Sequence, residues 1–313
     1  MRVAGTSYTE SMTNQINLLS ARQFQLQNEA TTGQRVQAPE DDPAAMATAL
    51  GLQTQNSNVG QYAQNITTLT NRATLVGNAL SQLQNIVNRV NDIATQSDDL
   101  STPDARQANA AEVSQYIQQA VDVLNSKDGD QYLFGGTDSG QPPFVATTDA
   151  SGNVTGVTYQ GNTSTTENEI GQNSTVSVDI PGANTSGSGA RGLVTDSRYG
   201  ADLFTHMISL QNDITTGNTS AITSTDSPNL TNDSDNIIYQ VGNNGAVQAR
   251  LQIAASAAST QQSSLNTSLT NVAGADLTQT LTQLTQTQNA YQIALQSTST
   301  ILQLKTSLLA YLP

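Results

Sequence analysis

Apolar residues recur at alternating four- and three-residue steps through much of this chain, and the pattern predicts long helices rather than strands. Val59, Ile66, Ala73, Leu80, Val87 and Ala94 share one heptad position, and Tyr62, Leu69, Val76, Leu83 and Val90 fall three residues further on, with Ser97 breaking the second series. A helix from Pro43 to about Ser97 would be roughly 80 Å long at about 1.5 Å per residue, so it needs a partner along its length. Ser101-Thr102-Pro103-Asp104 then reads as a helix stop and restart. Val113, Ile117, Ala120 and Leu124 carry a second stripe, on a helix that can fold back on the first.

The two ends of the chain repeat the pattern with fewer charges. Met12, Ile16, Leu19 and Leu26 form a stripe on a Gln- and Asn-rich helix. In the last third, Leu251, Ala255, Ala258, Leu265, Leu269 and Val272 continue into Leu277, Leu281, Leu284, Tyr291, Leu295, Leu302, Leu309 and Leu312, with Gln262, Gln288, Thr298 and Lys305 as polar members. From Leu251 to Pro313 the charged residues are Asp276 and Lys305, so these helices are suited to lie among other helices.

Between the helical flanks the period changes to two. Val176, Val178 and Ile180 alternate with Ser177 and Asp179 ahead of Pro181-Gly182, which predicts a strand; Val157 with Tyr159 predicts another, and Phe144 after Pro142-Pro143 the entry to a third. Residues 131–200 hold 12 of the 22 glycines. A shorter helix is expected around Asp202 to Ile214, then a Ser/Thr/Asn-rich loop near 216–234. The predicted fold is mainly α with a β insertion: long antiparallel coiled-coil helices from both chain ends, plus a central mostly-β domain. Three regions follow. They are residues 1–40 with 277–313 as an inner layer, 41–130 with 236–276 as a helical rod, and 131–235 as an outward β-rich domain.

An ordered interruption separates the first two helices. In Thr31 to Asp42, Gly33 suits the end of one helix and Asp42-Pro43 the start of the next, because glycine tolerates left-handed backbone, Asp accepts orphan N–H groups, and proline at the first helical position forfeits no bond. Glu40, Asp41 and Asp42 are read as caps rather than a cation site, since adjacent carboxylates without further spaced ligands seldom hold a metal.

Composition narrows the chemistry. A formal charge of −14, with only 11 Lys plus Arg, disfavours nucleic acid or anionic lipid as partner; residues 131–235 contain 11 acidic residues and two arginines, a large part of that excess. No run of about 18 uncharged apolar residues predicts membrane insertion, and the N-terminus lacks the basic-then-apolar order of a cleaved signal peptide. With no Cys and a single His, His206, the chain is poorly equipped for metal or acid–base catalysis. Asp202 and Ser209 near His206 lack the turn that presents a nucleophile, so His206 is read as a surface residue of its helix. Gly135-Gly136 and Gly242 to Gly245 lack a phosphate-loop signature and read as turns. No catalytic, cofactor or metal residue is expected, and the chain is not expected to be an enzyme.

Thr32-Gly33-Gln34-Arg35-Val36 followed by Asp41-Asp42-Pro43-Ala44 resembles the signature shared by bacterial flagellins and the flagellar hook-associated proteins. Gly245-Ala246-Val247-Gln248-Ala249-Arg250-Leu251 resembles the start of that superfamily's C-terminal rod helix, and Leu302 to Leu312 its terminal helix. The resemblance covers about 1–130 and 236–313. Tyr132-Leu133-Phe134-Gly135-Gly136-Thr137 leading to Pro142-Pro143-Phe144, together with Asp42-Pro43, is similar to the hook–filament junction member rather than to flagellins.

The resemblance implies a structural protein of the extracellular flagellum that joins the hook, through hook-associated protein 1, to the flagellin filament. It implies a ring or layer of identical subunits, export as an unfolded chain without a cleaved signal, and a cytoplasmic export chaperone. On the residues themselves, the expected assembly interface is Met12, Ile16, Leu19, Leu26, Leu284, Tyr291, Leu295, Leu302 and Leu309. The chaperone candidates are Leu295, Ile301, Leu302, Leu304 and Leu308. Two other functions compete: a filament-forming flagellin, and an adhesive or ligand-binding module carried by the central domain.

Overall fold

A computed structural model describes residues 2–97, 102–150 and 152–309, with side-chain surroundings from residue 10 to residue 303. The elements run α1 (Arg2–Thr32), α2 (Pro43–Ser97), α3 (Pro103–Leu124), β1 (Lys127–Asp128), β2 (Gln131–Tyr132), β3 (Phe144–Thr148), β4 (Val154–Tyr159), β5 (Asn168–Gly171), β6 (Ser174–Val176), β7 (Ala183–Asn184), β8 (Thr195–Asp196), β9 (Ala201–Asp202), α4 (Leu203–Thr216), α5 (Thr219–Ala221), a π turn (Ile222–Asp226), α6 (Ser227–Ala273) and α7 (Leu277–Leu309). This is the mainly helical architecture with long terminal helices and a small central β region that the periodicity predicts. Two compact units divide it: residues 1–58 with 260–313, and residues 59–259.

In the second unit the heptad stripe of α2 is a closed core. Ala73, Val76, Leu80, Leu83, Val87 and Val90 are buried, as are Val113, Ile117, Ala120 and Leu124 of α3. Thr102 caps α3 by accepting the Ala105 N–H, with Pro103 in the first turn. The helices are antiparallel, because Arg89 pairs with Glu112 and Ser97 with Asn109. Ser97, the polar break in the stripe, is buried and accepts from the Asn109 side chain, which removes the cost of its hydroxyl.

The β region consists of short antiparallel pairs, β1–β2, β3–β4 and β5–β6, and a three-stranded β7–β8–β9 sheet in which β7–β8 is parallel. Leu133 and Phe134 are buried, and the Phe144 ring lies 5.1 Å from Tyr159 and 5.7 Å from Phe204, which ties the β pairs to α4. Gly136 sits at φ +69°, where a side chain would collide with the Asn162 carbonyl, so this turn requires glycine.

Several local expectations are corrected. The alternation at 176–180 forms a paired strand only as far as Val176; Val178 and Ile180 are buried, but Asp179 is drawn to Arg72 of α2 (3.1 Å) and to the Thr166 N–H (3.0 Å) rather than into a ladder. Residues 219–234, read as a loop, are helical, so α6 starts at Ser227 rather than near Gly245, and Gly242 and Gly245 lie inside it. The reason is a stripe with polar members: Ile222, Asp226, Leu230, Asp233, Ile237, Gln240, Asn244 and Leu251 are all buried. Asn236 donates to the Gly192 and Leu193 carbonyls, Gln240 to the Arg191 carbonyl, and Asn244 to the Ala73 carbonyl of α2 (3.1 Å). These amides satisfy loop and helix backbone that an apolar face would leave unpaired.

Candidate assembly surface and junction clasp

The first unit is built on the interrupted segment found in the sequence. Gly33 ends α1 in left-handed backbone (φ +69°), its N–H reaching the Glu29 carbonyl. The chain then bonds to the break between α6 and α7: Arg35 and Val36 N–H donate to the Ala273 carbonyl, Ala275 N–H donates to the Gly33 carbonyl, and Gln34 bridges Gly274 in antiparallel sense. Asp41 folds the loop by accepting the Gln37 and Ala38 N–H groups (3.0 and 2.9 Å). Asp42 accepts the Ala45 N–H at the start of α2 and pairs with Arg35 at 3.3 Å, while Arg35 also donates to the Val272 carbonyl. Asp276 caps α7 through the Thr278 and Gln279 N–H groups.

Two of the three carboxylates of this loop, Asp41 and Asp42, therefore have structural tasks. Hydrogen bonds from Ala38 and Gln37 hold Asp41 below the usual carboxylate range; the Ala45 N–H, followed by Arg35, does the same for Asp42. Beneath the clasp, Val36, Ala49 and Ala273 form a small core with Ala45, Met46, Leu269 and Val272.

From the clasp, α1 and α7 run antiparallel: besides the 34–274 bridge, Arg22 donates to Gln283 (3.2 Å). Leu26 is 1% exposed and Thr280 5%. The predicted interface residues fall into three groups. Leu26 is inside the chain's own helix pair, whereas Met12, Ile16, Leu19, Leu284 and Tyr291 are half-buried. Leu295 and Leu302 are exposed and, with Thr298, Ser299 and Gln303, form an apolar patch; Ile301 is half-buried. Leu304, Leu308 and Leu309 lie in α7, with side chains outside the described residues.

Among the described residues of α1 and α7, the most exposed large apolar side chains are ones the stripe did not single out: Leu18 at 71%, Phe24 at 66% and Ile293 at 64%. Their signal was present as apolar residues standing off the four-three seam. A helix that keeps its seam inside and still carries large apolar groups outside has a second face to cover.

His206 is corrected from a surface histidine. It is half-buried, its Nδ1 lies 2.7 Å from Asp233, and Asp233 also accepts the Asp202 N–H (2.8 Å). Burial works against protonation of His206, but its hydrogen bond to the Asp233 carboxylate and the charge of Asp233 prevail and raise the pKa. The His206 ring nitrogen that is bonded faces Asp233, and no relay from serine to histidine is formed among the described residues. The buried Asp226, on the π turn, is raised to about 6, first by burial and then by Asp213. Among the described residues no cluster of three or more ligating side chains is placed for a metal, and no helix is long and apolar enough to cross a membrane.

Comparison with known proteins places this geometry. Residues 4–139 match the family of the bacterial flagellin N-terminal helical region. Flagellar hook-associated protein 3 of Salmonella typhimurium is 27% identical over 146 residues, 46% of this chain and 46% of that protein, so the match spans about half the length of the curated relative. Similar solved structures include one from Vibrio parahaemolyticus described as a flagellar hook-associated protein (17% identity, TM-score 0.63, covering 75% of this chain and 100% of that one). Bacillus cereus FlgL has 18% identity and a TM-score of 0.56, over 70% of this chain and 99% of that one. Xanthomonas campestris FlgL has 19% identity and a TM-score of 0.55, over 69% and 98%. At these identities the structures speak for the fold.

The N-terminal helices and the clasp loop, residues 4–139, are thus similar to the flagellin N-terminal helical region, the class to which the signature around Gly33 and Asp42-Pro43 pointed. The curated relative bears the name of flagellar hook-associated protein 3, the member that the Tyr132–Phe144 element resembled.

Proposed function

We propose that this chain is a structural subunit of the bacterial flagellum that joins the hook to the filament, and that its terminal helices complete their folding when subunits pack together. The relatives support a structural part in the flagellum. One observation supports the finer reading: α1 and α7 share one seam and leave Leu18, Phe24, Leu281 and Ile293 more than half exposed. Burying each such side chain returns about 1.5 to 3 kcal/mol, which offsets the backbone ordering cost of about 1 to 2 kcal/mol per residue only where a neighbour supplies the surface.

In this reading residues 1–40 with 277–313 form the inner layer of a ring of identical subunits, residues 41–130 with 236–276 the rod, and residues 131–235 the outward domain. Hook-associated protein 1 lies on one side of the ring and flagellin on the other. Before export, a cytoplasmic chaperone covers Leu295, Ile301, Leu302, Leu304 and Leu308, and the chain leaves through the flagellar export channel.

Electron microscopy of cells lacking the protein tests the junction role: intact hooks without filaments, with flagellin shed to the medium, is the expected result, and normal filaments would refute it. The flagellin-type match of the N-terminal helices keeps a filament subunit as the second reading. Purified protein added to hook ends separates the two, since a junction protein stops after one short layer and a filament subunit elongates.

A further inference from the structure

Residues 131–235 carry two arginines in a section dominated by acidic residues, and both line one cleft. Its walls are Asp179 to Pro181, the 189–191 and 198–199 segments, and Tyr239, Gln240 and Asn243 of α6, enclosing about 330 Å³. Arg198 is neutralised there: its Nη2 lies 2.6 Å from Asp196 Oδ2 and its Nε 2.9 Å from Asp196 Oδ1, and it also donates to the Gly189 and Ala190 carbonyls. Asp179 is likewise taken, by Arg72 at 3.1 Å.

Arg191 differs. Its guanidinium carbon is 3.5 Å from the Tyr199 ring centre and 4.3 Å from that of Tyr239, and its Nε donates to Asn236 at 2.5 Å. Among the described residues no carboxylate lies within ion-pair distance of it. A guanidinium stacked on two rings and fixed at Nε is preorganised, and what it still offers is the Nη edge, the edge that grips a carboxylate in a two-pronged manner. Around it stand two half-exposed tyrosines, at 49% each, and the Asn243 side chain, which supply flat apolar faces and hydroxyl or amide hydrogen bonds.

We propose that this cleft binds an acidic sugar, with the carboxylate on Arg191, the ring against Tyr199 or Tyr239, and the hydroxyls on Asn243 and the phenols. The small volume fits a single ring-sized ligand better than an extended chain. The surrounding excess of acidic residues repels anions at long range, so a ligand is selected by fit to Arg191 and not by the general field. The site is independent of the junction reading and stands or falls whatever cells lacking the protein show.

Calorimetric titration of the full-length protein with glucuronic acid and with N-acetylneuraminic acid tests it, each acid beside its methyl ester and beside inorganic phosphate. The expected result is saturable binding of at least one acid, at least tenfold weaker for its ester and for phosphate. Arg191→Gln should weaken the acid at least tenfold and Arg191→Lys several-fold, because an ammonium lacks the planar fork. Absence of saturable binding, equal affinity for acid and ester, or phosphate binding as well as the acid overturns the proposal; so does unchanged binding in a folded Arg191→Gln. Should circular dichroism show that the variant unfolds, the comparison of acid with ester on the unaltered protein decides alone.

Discussion

Two helix pairs in this molecule, α2 with α3 and α1 with α7, begin from the same kind of seam and end in opposite conditions. In the first, Val87, Val90, Val113, Ile117 and Leu124 have no measurable exposure, and the one polar member, Ser97, is hydrogen-bonded. In the second, Leu26 is enclosed, but Leu18, Phe24 and Ile293 are about two-thirds exposed or more. A four-three stripe shows that a helix has one partner; whether it needs a second is told by the apolar residues off the stripe.

The largest expected effect on the monomer lies in the closed pair. Ile117→Ala should cost about 2 to 5 kcal/mol of unfolding free energy in urea, because the cavity cannot be filled from solvent. A loss under 1 kcal/mol would mean that this core is loosely packed.

Next in size is a gain. Asp226 is buried with a pKa raised to about 6, so its protonated form is the one the fold favours. Its contribution is full below the unfolded value near 4 and is lost as pH rises through about 6. Asp226→Asn should therefore stabilise the protein by roughly 1 to 3 kcal/mol at pH 8 and by much less at pH 5, as compared in urea melts at the two pH values. An equal effect at both would show that the carboxylate is not penalised.

The clasp comes third. Gly33→Ala places a side chain in left-handed backbone and should cost about 1 to 2 kcal/mol. The lowered pKa values of Asp41 and Asp42 set the pH sense: their contribution is complete above the ordinary carboxylate range and is lost as pH falls through the depressed folded values. Exchange at the amides of Gln37, Ala38 and Ala45, corrected for intrinsic rate, should lose protection in that acid window. The smallest effect on the monomer belongs to the open pair, where Phe24→Ala or Ile293→Ala should change stability by less than about 0.5 kcal/mol while sharply reducing incorporation onto hooks. Full incorporation of the double variant would leave these faces without a role.

Much of this was legible where local chemistry and burial agree. Gly33 and Asp42-Pro43 announced the end of α1 and the start of α2, and the α2 stripe announced the core, because a nearly unbroken apolar seam has few alternative uses; the break at Gly274 that pairs with this loop was hidden by a stripe that runs on from Val272 to Leu277. Residues 219–251 hid their helix, since Asp226, Asp233, Gln240 and Asn244 occupy seam positions that a hydrophobicity pattern scores as breaks. Asp233, Gln240 and Asn244 face backbone carbonyls, an N–H group and His206, partners that become adjacent only after the chain folds. The Arg191 cleft was hidden for the same reason, as Tyr199, Asn236 and Tyr239 meet Arg191 from a loop and a helix.

Hydrogen exchange of the purified monomer, read residue by residue against the same protein assembled on hooks, tests the contrast most directly. The account predicts strong protection in α3 and in residues 76–97 of α2 in both states. It predicts exchange near the unfolded rate in residues 1–30 and 280–313 of the monomer, slowing by several orders of magnitude on assembly. Equal, strong protection of the terminal helices in the monomer would contradict it.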